Sequence, residues 1–222
     1  MRVLRRRPTR GDDGMTLVEL VVAMSIFTVV VVLFLSAVTS LSRTAVRTQN
    51  EADAAADLRR VYQQMDRQVR YADAVNYPGD VGERTYVELR TTATTELEPY
   101  CHQWRITPST GAVELRSWPE AQAPGPTWKT LATTVVGPSG PFELLPADVA
   151  SSRVRQALRV SLVAARGSGA TRAEAETSTL FVARNSSQSS PGNARASVAD
   201  PPSSASPVCG ALSTTRPMGA TG

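Results

Sequence analysis

From Leu20 to Val38 the chain reads LVVAMSIFTVVVVLFLSAV, a run without a charge in which only Ser25, Thr28 and Ser36 are polar. Bounded by Leu17 and Leu41, the apolar stretch is 25 residues long, about 37 Å as a helix. That exceeds the ~30 Å hydrocarbon layer of a bilayer, and one membrane-spanning helix over residues 15–41 is predicted. The three hydroxyls fit such a helix because each can bond back to a carbonyl of the preceding turn. Beyond the span, residues 42–75 hold neither Pro nor Gly. Leu58, Val61, Met65, Val69 and Ala72 recur there at spacings of three and four, giving one apolar stripe. Asp53, Asp57, Arg60, Asp66, Arg67 and Arg70 fall largely on the other faces. The reading is a second, amphipathic helical half over residues 42–76, continuous with the span and making one helix of about 60 residues, on the order of 90 Å long. Asn76-Tyr77-Pro78-Gly79-Asp80 ends it with turn-forming residues.

Residues 84–184 change period. Short runs with alternation, such as Val113 and Leu115 against Glu114 and Arg116, predict strands at 85–91, 101–107, 112–118, 128–136, 142–145, 155–165 and 177–184. Pro108-Ser109-Thr110-Gly111 reads as a hairpin turn. No crossover helix intervenes, so the connections are expected to be antiparallel. The fold class is α+β: a long N-terminal helix packed on an antiparallel β-sheet head. From Asn185 to the end, 9 Ser and 5 Pro occur with few large apolar side chains, and residues 185–222 read as a flexible tail.

Charge locates the ends of the span. The formal net charge is +4, but Arg2, Arg5, Arg6, Arg7 and Arg10 cluster before it. Residues 15–222 carry 19 Lys and Arg against 18 Asp and Glu. The basic leader therefore places residues 1–14 in the cytoplasm and the head outside. The near-neutral remainder gives no support to a nucleic-acid partner. On the outer side a disulfide can persist; Cys101 and Cys209, the two cysteines, either bridge the tail to the head or remain free thiols, a choice that depends on a Cα separation under ~7 Å.

Glu19 stands at the edge of the apolar run, where a carboxylate calls for a partner or a function. Around it lies Gly14-Met15-Thr16-Leu17-Val18-Glu19-Leu20, preceded by the basic leader and followed by the span. This arrangement, over roughly residues 1–41, resembles the signal of type IV prepilins and type II secretion pseudopilins. The resemblance implies that a prepilin peptidase cuts between Gly14 and Met15 and N-methylates Met15, leaving the apolar helix in the mature chain. It also implies a pilin-like fold and a role for Glu19 in subunit assembly, its carboxylate pairing with the terminal amine of a neighbouring subunit. The partners implied are other pilin or pseudopilin subunits and, indirectly, a membrane assembly platform with its ATPase. The main filament-forming pilins commonly carry a Pro within the span and this span has none, which favours a minor subunit, most similar to the J-type pseudopilins, acting in initiation or at the tip.

Candidate chemistry changes this picture little. His102 is the single histidine and Lys129 the single lysine. No zinc-ligand spacing, Gly-x-Ser-x-Gly turn, Ser-x-x-Lys pair or phosphate-binding Gly-rich loop is present. No catalytic residue, metal or cofactor is expected, and Trp104, Trp118 and Trp128 read as packing residues. Two other readings remain: an uncleaved signal-anchored surface protein with a binding or structural head, and a DNA-uptake pilus subunit.

Overall fold

The computed structural model describes residues 14–92, 98–190, 192–193 and 208–209. Helix α1 (Leu17–Tyr71) runs through two units, residues 1–45 and residues 46–222. In the first, the helix is apolar enough to cross a membrane and none of its apolar window is buried within the protein. This fits a single-pass membrane anchor. Its hydroxyls are satisfied internally: Ser25 Oγ donates to Val22 O (2.7 Å), Thr28 Oγ1 to Met24 O (2.8 Å) and Ser36 Oγ to Val32 O (2.8 Å).

In the second unit α1 packs on two antiparallel sheets. Strands β1 (Ala72–Val75) and β2 (Gly79–Val81) lie in succession along one edge of β3 (Arg84–Thr91). The sheet continues through β4 (Tyr100–Thr107), β5 (Ala112–Pro119) and β6 (Lys129–Ala132). In the second sheet, β7 (Val135–Gly137) and β8 (Phe142–Leu145) lie in succession along one edge of β9 (Ala157–Arg166), and β10 (Ala173–Val182) along the other. Leu58, Val61, Met65 and Val69 of α1 enter one core with Leu89, Trp104 and Ile106 of the first sheet and Leu158 and Leu162 of the second. Two polar side chains that enter this core are partnered. Trp104 Nε1 donates to Gln68 Oε1 (2.7 Å). The Tyr62 hydroxyl is shared between Val160 O (3.0 Å) and Thr177 O (2.5 Å), and burial raises its pKa above the ordinary phenolic value.

Four expectations from sequence are corrected. The helix ends at Tyr71, not Asn76. Ala72–Val75 are taken instead by pairing with β3, and the Gln156 side chain bonds both Val75 N (2.8 Å) and Val75 O (3.2 Å). The helix end is closed by Arg184 N to Arg70 O (3.2 Å) and Asn185 Nδ2 to Tyr71 O (3.1 Å). The strand expected over 128–136 is two strands in different sheets, separated at Thr133 and Thr134. There Gly111 (φ +68°) is wedged so tightly that a Cβ would lie 2.8 Å from Thr133 O, which explains why the hairpin turn needs glycine. Asp57 is not on a solvated face: it is 7% exposed and accepts from Arg166 Nη2 (2.7 Å) and Thr134 Oγ1 (3.0 Å), tying α1 to the sheets. The head also runs on past Arg184, with Ser186, Ser190 and Asn193 buried. Ser186 Oγ accepts from Gln156 N, Ser190 Oγ donates to Asp73 O, and Asn193 Oδ1 accepts from Ala147 N. Most of residues 194–222 lie outside the described residues.

Cys101 of β4 is bonded to Cys209, 108 positions further on in the sequence, with a Cα separation of 5.9 Å. Around the bridge, Ala74, Trp118 and Val208 form a second, small apolar cluster. His102, the neighbour of Cys101, contacts Thr91 Oγ1 (3.2 Å) and Ser117 Oγ (2.7 Å), and burial lowers its pKa to about 4.

Two outcomes follow. Replacing both cysteines by serine lowers the unfolding free energy of the full chain by about 2–5 kcal/mol, the range for losing a bridge that closes a long loop, measured by denaturant titration in detergent. For His102 the folded-state pKa lies below the unfolded value, so the folded state binds fewer protons. Its contribution is complete above pH ~6.5 and is lost as the pH falls toward 4. His102→Gln therefore flattens the acid side of the stability profile across that window, measured by thermal unfolding at a series of pH values.

Candidate functional site

The N-terminal motif is built around the start of α1. An α-helix leaves its first N–H groups without intrahelical partners. Thr16 supplies one: its Oγ1 accepts from Glu19 N (3.3 Å), while Thr16 O accepts from Leu20 N (3.1 Å). Thr16 is thus the N-cap, and Glu19 holds the third helical position of a Thr-x-x-Glu capping pattern. The position also suits Glu19 electrostatically, since a carboxylate in the first turn meets the positive end of the helix dipole. Sequence reasoning took Thr16 only as part of the motif. The three-residue spacing from Thr16 to Glu19 was the signal for its capping role.

The groups on either side of the expected cut differ in what the fold asks of them. A Cβ built on Gly14 would meet nothing within 4 Å, so packing among the described residues gives no reason for glycine there. Met15 is 67% exposed and Leu17 78% exposed. The helix cap, by contrast, uses only Thr16 and residues after it. Removal of residues 1–14 would leave both capping bonds in place.

On the head, the two cysteines that sequence left open are joined. They are far from the N-terminal motif in sequence and bear on the C-terminal segment, with Cys209 fully buried beside Trp118 and Val208. His102 is committed to Thr91 and Ser117. Among the described residues no group of three or more His, Cys, Asp or Glu side chains could hold a metal ion.

The tryptophans divide. Trp104 and Trp118 are buried, whereas Trp128 is half-buried on the outer side of the first sheet, with the guanidinium groups of Arg105 and Arg116 4.0 and 4.5 Å from its ring centroid. Both arginines are also held within the sheet, Arg105 by Glu114 (2.6 Å) and Arg116 by Gln103 Oε1 (2.8 Å). The cluster roofs the sheet face through cation–π contacts.

A family model for the prokaryotic N-terminal methylation motif matches residues 9–35. No curated protein and no solved structure matches the chain. The matched segment includes Gly14, Met15, Thr16 and Glu19 and extends through most of the apolar run. Residues 9–35 therefore carry a type IV prepilin-like N-terminal methylation signal, placed at the start of a helix that is long and apolar enough to span a membrane.

Proposed function

We propose that this protein is a minor pilin or pseudopilin, which works by polymerising and not by catalysis. The observation that carries this reading is the coincidence of the methylation signal with the helix start: Gly14, which packing among the described residues does not require, stands two positions before Thr16, the cap of α1. A prepilin peptidase cuts after Gly14 on the cytoplasmic side and methylates the new Met15 terminus. The mature chain keeps its span, stays in the membrane with its head outside, and is drawn into a filament by an assembly platform and its ATPase. The Cys101–Cys209 bridge supports that orientation, because such bonds persist in oxidising compartments.

Glu19 then has a defined task. The cut creates an α-amino group of unperturbed pKa ~7.7–8.0, largely protonated at neutral pH. Buried among packed helices, an isolated charge of either sign is costly. A carboxylate from one subunit set against the terminal ammonium of the next neutralises both, and attraction between them is far stronger in low dielectric than in water. Glu19 is therefore the assembly residue, and the proline-free span favours a minor subunit, acting at initiation or at the tip.

Two variants separate processing from assembly. Gly14→Val leaves the leader attached, and the membrane protein keeps the mass of residues 1–14. Glu19→Ala is cut normally but falls at least tenfold in the sheared filament fraction while its membrane level is unchanged. Incorporation of Glu19→Ala at the normal level contradicts the assembly role.

A further inference from the structure

The second sheet has two unlike edges. On one side of β9 the neighbouring chain is broken into β7 and β8 by Pro138 and Pro141. In the first sheet, β1 and β2 are likewise separated at Pro78, and the opposite edge is the four-residue β6. Such interruptions are the usual means by which proteins keep sheet edges from pairing with other chains. Strand β10 lacks them: Ala173–Val182 is ten residues long, holds no Pro or Gly, and pairs with β9 without a register shift.

The direction of its backbone groups follows from three bonds. Ala183 N donates to Gln156 O (3.0 Å), whereas Ser161 N and Ala165 N donate to Pro141 O and Thr134 O on the other side of β9. Hydrogen-bonding direction alternates along an antiparallel strand. With the register Ala173↔Arg166 to Val182↔Ala157, even-numbered residues of β9 bond odd-numbered residues of β10. The N–H and C=O groups of Glu174, Glu176, Ser178, Leu180 and Val182 therefore point out of the free edge. No backbone group among the described residues bonds them; the next residue on that side, Arg184, meets Arg70 O beyond the strand end.

Beside this edge lies a groove of about 510 Å³ between α1 and β10, lined by Tyr62, Gln63, Asp66, Arg67, Thr179 and Phe181. Its apolar part is the Tyr62–Phe181 ring pair, 5.8 Å between centroids. On the outer face of β10 the side chains are graded. Glu174 and Glu176 stand at one end, Glu174 being paired with Arg172 (2.7 Å), and Leu180 and Val182, 49% and 45% exposed, stand at the other.

We propose that the β10 edge is a docking site for an extended segment of a different polypeptide, added as a further strand. That segment carries a basic residue facing Glu176, apolar residues facing Leu180 and Val182, and a large apolar side chain that enters the groove beside Thr179. Main-chain bonds give such a site its affinity, and alternate side chains give it specificity. A second copy of this chain is a poor match. Antiparallel self-pairing about Ser178 sets Glu176 against Leu180, and parallel pairing sets Glu176 against Glu176. The inference does not depend on processing at Gly14.

The test uses the full chain in detergent micelles and two synthetic ten-residue peptides, one for each strand direction. Each carries lysine opposite Glu176, valine opposite Leu180 and Val182, and phenylalanine opposite Thr179. One peptide is expected to slow amide exchange at residues 174, 176, 178, 180 and 182. Ser178→Pro removes one outward N–H and the exposed Ser178 Oγ–Ser161 Oγ contact (2.7 Å) while leaving the backbone bonds to β9, and should weaken binding at least tenfold. Glu176→Lys should weaken it comparably and recover when the peptide lysine is exchanged for glutamate. Absence of protection with both peptides, or binding indifferent to both variants, overturns the proposal. So does protection that appears without peptide and grows with protein concentration, which would make the occupant a second copy.

Discussion

The structure depends on one constraint: among the described residues nothing covers the apolar side chains of Leu20–Val38. Burying a large aliphatic side chain is worth about 1.5–3 kcal/mol, so a run of this length left in water would outweigh the few kcal/mol by which a domain of this size is stable. The cover must be lipid or other apolar helices. Both solutions require a helix whose backbone is satisfied internally, and the bonds from Ser25, Thr28 and Ser36 back to the preceding turn meet that requirement for the side chains as well.

The same helix changes character in the head, where its apolar positions narrow to the stripe of Leu58, Val61, Met65 and Val69. Asp57 adds a directional tie through Arg166 and Thr134. The N-terminal end carries the methylation signal, with Thr16 fixing where the helix begins and Glu19 one turn in. Among the described residues of the head, β10 is an uninterrupted edge strand with β9 on one side. The anchor, the proposed assembly residue and the proposed docking edge thus fall on separate stretches of the chain.

The span, the stripe and the N-terminal motif were legible because each is a local pattern of residue types. What escaped is set by non-local pairing. Ala72-Asp73-Ala74-Val75 keeps the helical spacing from Val69, and only β3 and Gln156 turn it into a strand. Residues 128–136 hold no Pro or Gly to mark a break, yet the chain passes from one sheet to the other at Thr133 and Thr134. Composition also misleads after Arg184. Serine-rich sequence cannot form an apolar core, but Ser186, Ser190 and Asn193 are held by hydrogen bonds to backbone groups of the head. Pairing of Cys101 with Cys209 needed a Cα separation that residue order does not contain.

The central claim concerns a single peptide bond, that between Gly14 and Met15, and the mass of the N-terminal peptide of the protein taken from native membranes tests it most directly. The account predicts a chain that begins at Met15 and carries one added methyl group on its terminal nitrogen. A chain that begins at Met1 would contradict it, leaving α1 as a plain membrane anchor and Glu19 without a charge to meet.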